Sequence, residues 1–379
     1  GQGGGAGGGR WLFLSGGDSV RLSADGLSKT GSVEHVYDPW RPPADWVLEG
    51  FSPEGPKVMR RGEFYYLITA VGGTAGPPTG HMVICARARD LAGPWETCPT
   101  NPLVRTITAA EKWWSRGHAT LVEGPAGDWW SVYHGYEAGF WTLGRQTLLA
   151  PVTWSADGWP VFGGGDLARP MRKPARGPAT PHGGPLSDDF TSNQLGTKWT
   201  FYDPGPGETA RLKIGGGVLR LAAKGTTPAN SSPLSFLAGE LAYQVQVEAE
   251  IDPKAQAGLL LFYNRRLYCG LAFNAGGLVM HRQGLERGGR KPEGAPEGPL
   301  TRLFLRGTND HHIVTWETSF DGQIWKRFDV RMEVSGYHHN TAYDFLSLRP
   351  ALYAAGEGEA RFRDLVFRAL DTRGGEHGA

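Results

Sequence analysis

Cysteine is scarce. The 379 residues contain three, Cys85, Cys98 and Cys269, and no C-x-x-C pair. A disulfide framework and a cysteine-based zinc site are therefore not indicated. Cys85 lies in an apolar run, where a thiol behaves as a small buried hydrophobe. No apolar stretch approaches the roughly 18 residues that a membrane-spanning helix needs. Charge is also sparse and balanced: charged residues make up 20% and the formal net charge is +1, which leaves no electrostatic footprint for nucleic acid. No segment holds a helical period over a convincing length. The chain opens on Gly1, not Met, and no signal peptide is visible. It is read as a fragment or processed chain, with a lean towards a secreted or periplasmic protein.

Glycine and aromatics are abundant, with 57 Gly, 14 Trp, 16 Phe and 12 Tyr. That is a turn-rich β composition, and its aromatics suit stacking on sugar rings as well as a β core. The length suits two domains. GQGGGAGGG at 1–9 is flexible by composition. Three segments then share one pattern of Gly turn, aromatic-led strand and Gly stop: GRWLFLSGG, GEFYYLITAVGG and GDWWSVYHG, opening at Gly9, Gly62 and Gly127. An antiparallel unit repeated at such intervals is the mark of a propeller, one blade per repeat. Pro and Gly crowd Gly163–Leu186, which reads as a linker. Beyond it come ten strand candidates, Leu219–Ala222, Glu240–Ile251, Gly258–Tyr263, Tyr268–Phe273, Leu278–Arg282, Thr301–Arg306, His311–Thr318, Lys326–Val330, Ala351–Tyr353 and Ala360–Arg368. They argue for an antiparallel sandwich or jelly roll. Ser319–Trp325 reads as a hairpin on an Asp-Gly turn. The expected organisation is all-β: a partial β-propeller over 1–165, a linker at 166–186, a concanavalin-like sandwich over 187–370 and a disordered tail at 371–379.

The stretch Trp46–Val58 draws attention through Glu54-Gly55-Pro56. Pro56 pushes the preceding residue out of the α region, so the Glu54 carboxyl sits in a loop or at the start of a strand. Ringed by Trp46, Phe51 and Pro53, it could be desolvated and serve as a general acid. The plainer reading is a surface glutamate in a turn.

EGPKV, RGEFYYLITAVGGTAGPPTGH, ARDLAGPWE, RGHATLVEGPAGDWW and LGRQTLLAPVTWSADGWPVF occur in this order. Together they resemble glycoside hydrolase family 43, the five-bladed β-propeller arabinofuranosidases and xylosidases, from about Arg10 to Phe162. The remainder resembles the sandwich domain that many members carry. The resemblance implies a glycosidase acting on oligo- or polysaccharide by inversion, with Glu54 as general acid; Glu49 is the internal rival. It implies that His118 lies on the propeller axis with a calcium ion or water, and that Arg145 reaches the sugar. Thr74 and His81 would lie in loops near the pocket, and Trp114 and Phe140 could stack on sugar rings or belong to blade cores. Glu123-Gly124-Pro125 reads as a blade turn. The family's two catalytic aspartates find no counterpart: Asp18, Asp25, Asp38 and Asp45 stand outside the family's context, and the first blade is absent from the sequence. A rival reading follows, a propeller and sandwich that bind carbohydrate without cleaving it. A structural or interaction protein is the third reading.

Overall fold

The computed structural model describes residues 2–4, 9–169, 171 and 185–370. Most of the expected linker, and the expected tail at 371–379, lie outside the described residues. The chain divides into two compact units, Gly1–Gly139 with Arg145–Ala179, and Phe140–Gly144 with Thr180–Ala379.

Among its described residues the first unit forms three antiparallel sheets, each built from strands consecutive in the chain. The first runs β1 (Gln2–Gly4), β2 (Arg10–Phe13), β3 (Asp18–Leu22) and β4 (Glu34–His35). The second runs β5 (Glu54–Arg61), β6 (Phe64–Val71), β7 (Met82–Ala88) and β8 (Glu96–Thr97), with β9 (Val104–Arg105) also paired to β7. The third runs β10 (Trp113–Glu123), β11 (Trp129–Glu137), β12 (Gln146–Trp154) and β13 (Pro160–Phe162). This is the blade pattern of a propeller. The three repeated segments become β2, β6 and β11, the second strand of each sheet. Part of the glycine tract, expected to be flexible, is itself a strand: Gln2, Gly3 and Gly4 pair with Leu12, Trp11 and Arg10.

The second sheet is buried on both faces. Tyr65, Leu67 and Ala86 share one core with Trp11, Phe13 and Tyr37. Their neighbours along the same strands, Tyr66, Ile68, Val83 and Cys85, share another with Leu121, Tyr133, Leu148 and Ala150. Alternate side chains thus enter different cores, and β6 and β7 read as unbroken apolar runs. All three cysteines are buried and free, and burial pushes the Cys85 thiol well up.

The second unit is a sandwich of two sheets. One orders its strands as Thr200–Phe201, Leu234–Ser235, Arg349–Gly356, Ala255–Phe262, Tyr268–Asn274, Gly277–Arg282 and Leu285–Gly288. The other follows Leu212–Gly215, Val218–Ala222, Glu359–Ala369, Ala242–Ile251, Arg302–Asp310, Ile313–Ser319 and Lys326–Arg327, with Met332–Glu333 beside Ile313–Ser319. Leu219, Val245, Leu259, Leu271, Leu305, Trp316 and Phe362 fill the core. The only α-helix among the described residues is His339–Ala342. The Asp-Gly segment is not a tight hairpin turn. Pairing resumes at Thr318 opposite Lys326, and the loop between is held by Asp321, whose carboxylate accepts from the Gln323 and Ile324 amides at 2.8 Å each. Such an Asx turn rounds a longer loop than a two-residue connection.

Candidate functional site

The site grows from two irregular strands in the first unit. Glu54 opens β5 and pairs with Ala70, but the register slips before Lys57 meets Ile68. Gly55 and Pro56 together face the single residue Thr69: Gly55 takes φ +58°, and Pro56 has no N–H to give the ladder. Opposite lies β10, whose pairing with β11 slips twice, on either side of Gly117. Ser115 at φ +50° and His118 at φ +61° are the non-glycine residues that carry this irregularity. Bulges re-aim side chains, and left-handed backbone at such residues marks sites under functional constraint.

The bulges fit together. A Cβ on Gly55 would lie 2.2 Å from His118 Nε2, so the imidazole rests on the bare Cα. A Cβ on Gly117 would come within 2.0 Å of the His81 ring. His81, immediately before β7, is fully buried, with its ring centroid 6.4 Å from that of His118. Expected in a loop near the pocket, it lies just outside β7 with its ring beneath Gly117. A third imidazole completes the group. His134 of β11 is directly opposite Gly117 in the ladder and stacks on His81 at 5.3 Å, 14° from parallel. One nitrogen from each of the three rings lies within 4.8 Å of the others. Sequence reasoning passed over His134, which lies in GDWWSVYHG and was read only as strand. One signal was present: each of the three histidines is next to a glycine, Gly80, Gly117 and Gly135.

Burial disfavours the charged form of each ring. Burial, and then the charges of its neighbours, take His81 down to about 3 and His134 down to about 2. His118 is lowered by burial, then by Lys57 and Arg145. Arg145, exposed at the start of β12, acts on all three rings. Lys57 is lowered by burial against the opposing pull of Glu54, and its ammonium donates to the Gly55 carbonyl at 3.1 Å.

Glu54 Oε1 lies 4.0 Å from His118 Nδ1, and its side chain is 49% exposed. The expected apolar ring around it is not found. Trp46 and Phe51 pack on the Val71, Met82 and Ile84 core, with Arg105 over the Trp46 ring at 3.3 Å and Arg41 over Phe51 at 4.2 Å. Those aromatics are already occupied, and the carboxyl faces solvent. Glu49 accepts the Ala75 amide at 2.7 Å and lies against Gly73. Thr74 is buried and hydrogen-bonds Tyr136. Trp114 donates its indole N–H to the Ala109 carbonyl at 3.0 Å. Phe140 belongs to the second unit, with its ring 4.6 Å from that of His312. Three of the four N-terminal aspartates are engaged: Asp18 and Asp38 reach His35 at 2.8 and 3.1 Å, and Asp25 accepts the Leu27 amide at 3.0 Å.

A calcium ion here would need several oxygen ligands beyond the imidazoles, and water would have to supply them.

The model of the family described as Glycosyl hydrolases family 43 matches residues 5–160, and that of the β-xylosidase C-terminal concanavalin A-like domain matches residues 187–367. The non-reducing end α-L-arabinofuranosidase BoGH43B of Bacteroides ovatus is 34% identical over 227 residues, 56% of this chain and 42% of that protein. A putative β-xylosidase of Xylanibacter ruminicola is 28% identical over 333 residues, 83% of this chain and 57% of that protein. The chain thus spans about half the length of the curated relatives it matches. Among solved structures, the GH43 BlXynB protein of Bacillus licheniformis superposes with a TM-score of 0.81 at 23% identity, over 96% of this chain and 73% of that one. That likeness is one of fold.

Proposed function

The chain belongs to glycoside hydrolase family 43, and from that membership we propose that its protein cleaves arabinofuranosyl or xylosyl linkages of plant polysaccharide with Glu54 as the general acid. The observation that carries the assignment is the seating of Glu54 on the Gly55 bulge, 4.0 Å from His118 and within the field of Lys57. A carboxyl that protonates a leaving oxygen must be reachable, and Glu54 is exposed. In the proposed step Glu54 gives its proton to the glycosidic oxygen as the bond from that oxygen to the anomeric carbon breaks. Water adds from the opposite face, a second carboxylate takes its proton, and the configuration inverts. Arg145, with its fixed fork of donors, would hold sugar hydroxyls.

Glu54→Gln tests the role. General acid catalysis is worth about 10²–10⁴-fold, so a loss of that order is expected on substrates with poor leaving groups. A much smaller loss is expected on aryl glycosides whose leaving group needs no proton. Equal losses on both, or none, would remove Glu54 from the mechanism.

A second reading is favoured by the engagement of Asp18 and Asp38 with His35 and of Asp25 with the Leu27 amide: a module that binds carbohydrate without cleaving it. Calorimetry with xylo-oligosaccharides beside a turnover assay separates the two. Binding without turnover by the 379-residue chain supports the module, and steady turnover excludes it.

A further inference from the structure

Cys85 of β7 and Cys98 stand opposite each other at the edge of the second sheet. The register that pairs Arg87 with Glu96 and Ala86 with Thr97 brings Cys85 to Cys98 at its next step. The Cys98 amide donates to the Cys85 carbonyl at 3.0 Å. A side chain makes the other half of that rung: the Cys85 amide donates to Asn101 Oδ1 at 2.9 Å, and Asn101 Nδ2 donates back to the Cys85 carbonyl at 3.0 Å. Both cysteines belong to the core of Tyr66, Ile68 and Val83, so they share one face of the sheet. Both are free thiols. We propose that Cys85 and Cys98 are a reversible dithiol–disulfide pair, which closes one cross-strand bond in oxidising surroundings. The inference rests on the pair alone and stands or falls apart from the glycosidase reading.

Opposed residues of a hydrogen-bonded antiparallel rung have Cα atoms about 5.5 Å apart. That falls inside the roughly 4.4–6.8 Å that a disulfide spans. Access comes from the edge. The strand β8 has two residues and stands last in the order of its sheet, and so short an edge opens locally at less cost than the sheet's centre. Cys98 follows β8 directly and is freed with it, whereas Cys85 is held within the seven residues of β7. Burial, and then the neighbouring Cys98 sulfur, push the Cys85 thiol well up. Cys98 is therefore the first nucleophile. Its thiolate attacks a low-molecular-weight disulfide, forms a mixed disulfide and expels one small thiol. Cys85 then attacks the Cys98 sulfur and expels the second. The two cysteines lose two electrons, the small disulfide gains them, and the two cysteine protons end on the two small thiols released. The new bond ties β8 to β7 and shortens the freedom of the unfolded chain. Cys269 takes no part, since it lies in the core of the second unit.

The test equilibrates the folded full chain with reduced and oxidised glutathione at stepped ratios, quenches with acid, and alkylates the remaining thiols in denaturant. Intact mass and peptide mapping then give the closed fraction. The same equilibrium is measured in concentrated urea. A linked Cys85–Cys98 peptide is expected, with Cys269 alkylated throughout. The closure constant should be at least about tenfold larger in the folded chain than in urea. The oxidised chain should show a higher denaturant midpoint than the reduced chain, a difference that Cys98→Ser abolishes. Closure equal or easier in urea, a link through Cys269, or three free thiols in the folded chain under excess oxidised glutathione overturns the proposal. The wild-type measurement decides even where Cys98→Ser fails to fold.

Discussion

Glu54 owes its place to the residue that follows it. Gly55 lets the His118 ring come where a side chain would stand. Glu54 and His118 are candidates in the sequence through the family resemblance, and no motif shows that the two side chains meet. The surroundings were not legible either: aromatics near Glu54 in sequence could cover it or pack elsewhere, and the Val71 core claimed Trp46 and Phe51. His134 was hidden because its relation to His118 is a ladder register, which is invisible until β10 and β11 are paired. Another buried imidazole gives a prediction in the second unit. His281 is fully buried, its Nε2 2.7 Å from the Tyr353 hydroxyl, and burial takes it down to about 4. In the unfolded chain it titrates near the ordinary histidine value of about 6.5. The unfolded state therefore binds the extra proton between those values, and the stability that His281 confers is complete above about pH 6.5 and is lost as pH falls towards 4. The limit of that loss is about 3 kcal/mol. Denaturant midpoints at pH 7 and pH 5 should fall further for the wild type than for His281→Gln. An equal fall would remove His281 from the pH response.

At the scale of elements, close approach rather than propensity decides what the site strands tolerate. Gly117 has no left-handed backbone to protect, yet a methyl there would strike the His81 ring at 2.0 Å. Gly127, in the β10–β11 turn, is the converse: φ is +76° and nothing lies within 4 Å. Gly117→Ala is expected to destabilise the first unit by about 1–3 kcal/mol through overpacking, and to move His81. Gly127→Ala should cost about 1–2 kcal/mol from backbone conformation alone and leave the histidines in place. Denaturation and the histidine ring NMR signals distinguish them; unchanged signals in Gly117→Ala would contradict the packing account. Strands were the readable part of this scale. All ten candidates beyond the linker reappear as strands, because alternation and aromatic content survive any register. Five short strands escaped: the two-residue Thr200–Phe201, Leu234–Ser235 and Met332–Glu333, and the four-residue Leu212–Gly215 and Leu285–Gly288, none long enough to show a clear period.

For the whole molecule, composition already pointed to an all-β chain, and the contacts group it into two units with one segment out of sequence order. Phe140–Gly144 lies in sequence between β11 and β12 of the first unit, yet belongs to the second. There the Thr142 hydroxyl shares a buried 2.9 Å hydrogen bond with His312 Nε2, and the Leu348 amide donates to the Thr142 carbonyl at 2.7 Å. Thr142→Val leaves His312 unpaired, and the second unit should lose about 1–3 kcal/mol, read from its denaturant midpoint. No change would mean that the segment merely rests there. The same five residues bear on how such a protein could be recombined. A chimera spliced at residue 185, joining this sandwich to a foreign propeller, would leave the native partners of His312 and Leu348 behind. The foreign chain would have to supply its own insert of matching shape between the corresponding strands, so the two halves would be inherited as a matched pair rather than as interchangeable parts.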